Sequence, residues 1–237
     1  MPSYYYPLLT ADSREIILQD EEFHHLCKVK RVSSGSIVKI NGGNGIIAEC
    51  RVTSIEKRRA VLEAFHIKEH PVAEKAFAIA FALLKNKHDE LAVEKCTEMG
   101  ASDFFPLQTE FTVRDENRNT VSRFEKIALA AIKQCDNPYL PAIHPIHNLA
   151  KAIDYIEERG YLPVVCSEIE RDKWLHDLGR IDRPCFIVGP EGGFSSSEMA
   201  LMQSLASISI SKFILRAETA AICIASQYQL FVQTHQI

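Results

Sequence analysis

Two short segments combine residue types that chemistry uses with positions that could present them. The first is Gly189-Pro190-Glu191-Gly192-Gly193-Phe194, which follows the apolar run Cys185 to Val188 and precedes Ser195 and Glu198. Glycines at the carboxyl end of a buried strand let a ligand lie directly against backbone N–H and C=O groups, and such loops are where parallel α/β sheets bind ligands. Ser195 with Glu198 three residues later has the form of a capping box, so a helix should open directly behind the loop. The spacing is neither G-x-G-x-x-G nor G-x-x-x-x-G-K-[ST], which disfavours a dinucleotide or nucleoside triphosphate. A tight strand-to-helix turn with no ligand is the alternative. The second segment is Ile214-Leu215-Arg216-Ala217-Glu218-Thr219-Ala220, where two charges interrupt an otherwise apolar stretch. Burying charge needs a partner or a function. The plain partnership is Arg216 with Glu218, the carboxylate favourably placed at a helix N-terminus.

Strands must deliver both segments, and the periodicity supplies them. Ala76 to Leu84 is a continuous apolar run, as expected for a strand buried on both faces of a parallel sheet. Ala92, Cys96 and Met99 mark one helical face that stops at Gly100, and Phe124, Ile127, Ala128, Ala131 and Cys135 mark another. Strands are expected at Phe104–Leu107, Leu162–Cys166, Cys185–Val188 and Ile208–Leu215, and helices at Leu149–Glu158, Ser195–Ala206 and from Glu218 onward. This alternation predicts an α/β domain with a mostly parallel sheet. The first 70 residues read differently. Short β-rich runs at Arg14–Leu18, Ser36–Ile40, Ile46–Ile55 and Ala60–Ile67 suggest a small antiparallel barrel. Asp20 is the expected cap of a helical stretch over 21–26, and the glycine cluster Gly42 to Gly45 reads as a hairpin turn. A boundary is expected near residues 68–75, dividing 1–70 from 74–237.

The composition is that of a globular protein: of 237 residues, 46% are hydrophobic and 24% charged. No apolar run approaches the ~20 residues of a membrane helix, and the start from Met1 to Pro7 lacks the form of a secretory signal. Seven cysteines without a C-x-x-C pair suit a reducing compartment, with the cytoplasm expected, and with no H-E-x-x-H in the sequence either, no metal is expected. The net charge of −4 does not advertise a nucleic-acid binder. Its distribution is uneven, however. Residues 1–73 carry 10 basic against 9 acidic side chains, 74–237 carry 17 against 22, and the first part gathers Lys28, Lys30, Arg31 and Lys57, Arg58, Arg59.

The two segments, in this order, resemble the paired signature of the bacterial small-subunit ribosomal RNA methyltransferases that make N3-methyluridine, a branch of the SPOUT methyltransferases. The likeness runs over nearly the whole chain. Lys85, Glu90, Lys95, Glu98 and Gly100 match the segment opening that family's catalytic domain, Arg123, Lys126, Ala131 and Gln134 its next helix, and His25, Val29 and Arg31 the N-terminal PUA-like barrel. The chain departs from the pattern at Asp136-Asn137-Pro138-Tyr139, where Gly-Arg is common, at Lys30, where Leu is common, and at His88, where another basic residue is usual.

The resemblance implies an N-terminal PUA-like RNA-binding β-barrel and a C-terminal SPOUT α/β domain threaded as a trefoil knot around S-adenosylmethionine. It also implies a homodimer whose partner subunit lies against the cofactor cleft. By carry-over, Cys166, Ser167 and Glu168 begin the first cofactor loop. Val188, Gly189, Pro190, Glu191, Gly192 and Gly193 form the second, and Leu215, Arg216, Ala217, Thr219 and Ala220 the third. The implied reaction is methyl transfer to N3 of one uridine in 16S ribosomal RNA of the small subunit. Arg216 is expected to stabilise the uridine anion and Glu218 to orient it or help accept the proton. His25, Lys28, Arg31, Lys95 and Arg123 are the candidates for RNA contact. The alternatives are a SPOUT methyltransferase acting on a ribose 2′-oxygen or a tRNA base, and a non-catalytic ribosome-assembly factor.

Overall fold

The computed structural model describes residues 3–29, 31–72, 76–112 and 119–235. The chain divides into two units, one of residues 1–73 and 129–140, the other of 74–128 and 141–237. Among the described residues, no helix is long and apolar enough to cross a membrane.

The first unit is a curled five-stranded sheet. Its strands are β1 (Ser3–Tyr5), β2 (Glu15–Gln19), β3 (Ile37–Asn41), β4 (Ile46–Ile55) and β5 (Arg59–Glu69), in the order β1-β3-β4-β5-β2. The antiparallel expectation needs one correction: β1 pairs with β3 in parallel. Register shifts between β4 and β5, at Glu49/Cys50 and Val52/Ser54, add the local bend that rolls the sheet over its core. Alternation along β4 turns Ala48, Cys50 and Val52 inward against Ile16, Leu18, Val38, Ile40 and Leu62.

Helix α1 (Asp20–His24) begins one residue earlier than expected. Gln19, not Asp20, is its cap, and no side chain makes the capping bond. The turn between β3 and β4 is a hairpin held by Asn41, whose Oδ1 accepts from Gly43 N–H at 2.8 Å. Residues 136–140 dock against this turn. Asn41 Nδ2 donates to Asn137 O at 2.7 Å, Gly45 N–H to Pro138 O at 2.9 Å, and Tyr139 Oη to His70 O at 2.6 Å. Asn137 and Pro138, two of the residues that depart from the family pattern, thus belong to the first unit as backbone partners of its hairpin.

The second unit holds a seven-stranded, all-parallel sheet. The main order is β12-β10-β11-β6-β7-β8, from β6 (Ala78–Ala82), β7 (Asp103–Gln108), β8 (Ala142–Ile143), β10 (Leu162–Cys166), β11 (Pro184–Val188) and β12 (Ala206–Ile208), with β9 (His147–Asn148) also on β7. Central β6 is buried at every position, which is why its sequence shows no polar alternation.

The helices are α2 (His88–Glu98), α3 (Thr120–Cys135), α4 (Leu149–Glu158), α5 (Ser196–Leu201) and α6 (Ala217–His235). Helix α6 lies on α2, β6 and β11, burying Ala221, Ile224, Ala225 and Tyr228. The Tyr228 ring meets Phe77 and Phe186 at 5.3 and 5.5 Å, and burial of such aromatic surface contributes about 1.5–3 kcal/mol per side chain. Two expectations fail here. The helix expected to reach Ala206 ends at Leu201, and the strand expected over 208–215 is paired only over Ala206–Ile208.

Candidate functional site

Strands β10, β11 and β12 are parallel neighbours, so the segments that follow them leave the sheet from one edge. The first and third of these segments are stitched together: Ser167 N–H donates to Ile208 O at 2.9 Å, and Ser209 N–H to Lys173 O at 2.7 Å. The first is also held internally. Ser167 Oγ accepts from the N–H groups of Ile169 and Glu170, both at 3.3 Å. Glu170 Oε1 accepts from those of Arg171, Asp172 and Lys173 at 3.0–3.4 Å, and these bonds, that from Asp172 foremost, lower the pKa of its carboxyl. Cys166 opens this segment with a thiol that burial pushes well above its ordinary range, so it stays a neutral wall rather than a nucleophile.

The second segment is shaped by its glycines. Phe194 packs against Gly189, where an added Cβ would meet the ring at 2.9 Å. Gly193 donates to Pro190 O at 2.9 Å and adopts φ +72, a left-handed conformation that side chains disfavour. A Cβ there would sit 3.6 Å from Glu168 Oε1, which places the first two segments face to face. Ser195 and Glu198 form the expected capping box, Ser195 N–H donating to Glu198 Oε2 at 2.9 Å. Glu198 Oε1 also takes the Glu110 N–H, at 2.9 Å.

The third segment separates the two charges that the sequence set together. Arg216 is exposed and has no ion-pair partner among the described residues, whereas Glu218 is buried in the first turn of α6. Its partner is His88, with Nδ1 3.0 Å from Glu218 Oε1. His88 reaches α6 because Asn86 and Lys87 are both left-handed, at φ +54 and +64, turning the chain sharply between β6 and α2. The same turn is tied to the glycine loop, Lys85 N–H donating to Glu191 Oε1 at 3.3 Å. Sequence reasoning gave His88 no role; its one signal was the departure from the family's usual residue. Leu215 and Ala220 are half-buried, Ala217 is buried, and Thr219 is exposed.

The RNA candidates fall into two groups. In the first unit, the His25 ring stands edge-on to Tyr4 at 5.8 Å, and Arg31 is exposed at φ +51. The Lys28 side chain and all of Lys30 lie outside the described residues. In the second unit, Lys95 Nζ holds Glu94 at 2.7 Å and Glu98 at 2.9 Å, which together raise its pKa to about 12, and Arg123 makes a two-pronged pair with Glu90. Both cations are already neutralised by their own helices' surroundings.

An all-parallel sheet whose loops converge at one carboxyl edge about a glycine-rich one, on a chain that carries a separate curled β-unit, defines an α/β ligand-binding protein with an accessory β-domain. The chain belongs to the RNA methyltransferase domain family, which residues 71–229 match, while residues 18–65 match the RNA methyltransferase PUA domain. It is similar to the ribosomal RNA small subunit methyltransferase E of Rickettsia conorii, at 26% identity over 94% of this chain and 92% of that one. The protein of the same name from Synechocystis is also 26% identical, over 92% of this chain and 74% of its own. In fold it matches the Neisseria gonorrhoeae ribosomal RNA small subunit methyltransferase E, solved bound to S-adenosyl methionine. That likeness has a TM-score of 0.89 and 24% identity, and covers 98% of both chains.

Proposed function

We propose that the chain transfers a methyl group from S-adenosylmethionine to N3 of one uridine in 16S ribosomal RNA of the small subunit, in the cytoplasm and without a metal. The observation that carries this reading is the meeting of Gly193, at φ +72, with the Glu168 segment, in a chain of this family. The missing Cβ at 193 leaves backbone open on the side where the first loop faces the second, which fits a cofactor held by main-chain groups. The names of the relatives support the ribosomal substrate.

Residues 166–167, 188–193, 215–217 and 219–220 would hold the cofactor, Arg216 through its main chain alone. Bound there, S-adenosylmethionine supplies a methyl group already activated on a sulfonium. The protein's task is then to align uridine N3 with that methyl group, a proximity effect worth about 7–11 kcal/mol. Arg216, charged and exposed beside the loops, stabilises the anion that N3 deprotonation leaves on O2 and O4. Glu218 serves the proton side of the step. Nucleoside analysis of small-subunit ribosomal RNA, from cells with and without the protein, tests the reading: N3-methyluridine should vanish in its absence. Loss of a 2′-O-methyl nucleoside or a tRNA base instead would overturn it, as would an unchanged profile.

The first unit supplies RNA affinity through His25, Lys28 and Arg31. Arg31→Ala should weaken RNA binding and flatten the dependence of log K on log salt by about one unit, leaving S-adenosylmethionine affinity unchanged. A slope equal to the parent's would remove Arg31 from the phosphate contacts. The active form is a homodimer. Ile169, Phe213 and Ile214 are 75%, 79% and 75% exposed beside the loops, apolar surface that a second copy would cover. Light scattering at micromolar concentration should give twice the chain mass of 26.7 kDa.

A further inference from the structure

The His88–Glu218 pair leaves one ring nitrogen and one carboxylate oxygen without a partner among the described residues. Glu218 Oε1 is 3.0 Å from His88 Nδ1, while Glu218 Oε2 is buried and meets no hydrogen-bond donor among the described residues. The carboxylate is 8% exposed at its side chain and the imidazole 33%. Glu218 therefore cannot reach a substrate proton itself, and His88 is the member of the pair that can.

We propose that His88 is the general base for uridine N3 and that Glu218 is the residue that positions it. The assignment rests on the methyl-transfer reading above. With Nδ1 3.0 Å from a carboxylate oxygen, a lone pair there would be repelled, so the neutral ring keeps its proton on Nδ1 and its lone pair on Nε2. Nε2 has no partner among the described residues. The turn that carries the ring touches both segments: its Lys85 N–H donates to Glu191, and His88 Nδ1 lies 3.0 Å from Glu218 at the start of α6, two residues beyond Arg216. This is the arrangement of a base oriented by a third group.

Glu218 faces His88 from α6, and Glu191 of the glycine loop reaches the same turn by accepting the Lys85 N–H. On its own turn and helix lie Lys85, Lys87, Asp89 and Glu90. Asp89 is buried and takes the Leu84 and Glu90 N–H groups, and Glu90 is paired with Arg123. Among the described residues, the carboxylate in direct contact with the ring is that of Glu218.

The step balances. The N3 proton passes to His88 Nε2, the N3 electron pair forms the bond to the methyl carbon, and the C–S pair returns to sulfur, giving S-adenosylhomocysteine. The imidazolium then releases its proton to water.

The experiment uses the full chain and small ribosomal subunits lacking the modification. His88→Ala should lower kcat by about 100-fold or more, abolish the acidic limb of the pH profile, and leave S-adenosylmethionine affinity by calorimetry within about threefold of the parent. Added imidazole should restore part of the rate. Glu218→Gln should lower kcat by about 10-fold while KM for the small subunit stays within about threefold, and the double variant should be no slower than His88→Ala alone, because Glu218 acts only through the ring. A His88→Ala enzyme that keeps its rate and acidic limb would overturn the assignment, as would one that imidazole does not rescue, or a double variant slowed further by the full Glu218→Gln factor. A parent protein that forms no N3-methyluridine would instead overturn the methyl-transfer reading, and this assignment with it.

Discussion

Gly193→Val should cost at least about 100-fold in S-adenosylmethionine affinity, a loss of roughly 2.7 kcal/mol or more. Two effects act in the same direction. A β-branched residue is strained at φ +72, by roughly 1–3 kcal/mol, so the loop must leave the shape that faces the first segment. A Cβ there would also stand 3.6 Å from Glu168 Oε1, and the valine methyl groups beyond it would fill the space between the two segments. The fold should survive, because Gly193 lies in an edge loop and every core strand is untouched. Melting should move by only a few degrees. Calorimetry decides the matter, and parental affinity in a folded variant would remove this loop from the cofactor site.

Arg216→Ala should lower kcat by about 10²–10³ while cofactor affinity stays within about threefold, the effect of removing one charge-stabilising donor from a transition state. The separation follows from position. The Arg216 side chain is exposed and unpaired among the described residues, while its backbone O accepts the Ala220 N–H at 2.8 Å, so the helix start does not depend on the guanidinium. Arg216→Lys should retain part of the rate, since an ammonium keeps the charge and loses the planar fork. Single-turnover methylation measures both variants. A large rise in KM for S-adenosylmethionine with kcat unchanged would show that Arg216 binds the cofactor instead of acting on the uridine.

Features settled within a few neighbouring residues were legible in the chain. Strand β4 at Ile46–Ile55, helix α4 at Leu149–Glu158 and strand β10 at Leu162–Cys166 have the bounds that periodicity assigns, and Ser195 caps α5 through Glu198 as the spacing requires. Caps, alternation and helical faces are local physics. The unbroken apolar run of β6 likewise carries its own explanation, burial on both faces. The glycine loop and the Arg216–Glu218 segment were visible too, because polar and glycine residues at the end of a buried strand contradict their surroundings.

Features that depend on which strand lies beside which were not legible. The apolar residues from Ile208 to Leu215 read as a strand. Yet β10, their neighbour in the sheet, ends at Cys166 opposite Ile208, and beyond that point there is no ladder to join. Helix α5 stops early because Ala206 is already paired with Val164 of the same strand. Residues 129–140 join the first unit because Asn137, Pro138 and Tyr139 find their hydrogen bonds on a distant hairpin and on His70. The partner of Glu218 was misread for the same reason. Adjacency in sequence suggested Arg216, but a helix start points two neighbouring side chains in different directions, and the turn at Asn86–Lys87 delivers His88 to the buried one. Local propensity shapes each element. Pairing across the sheet, which no single segment encodes, chooses the partner of a buried charge.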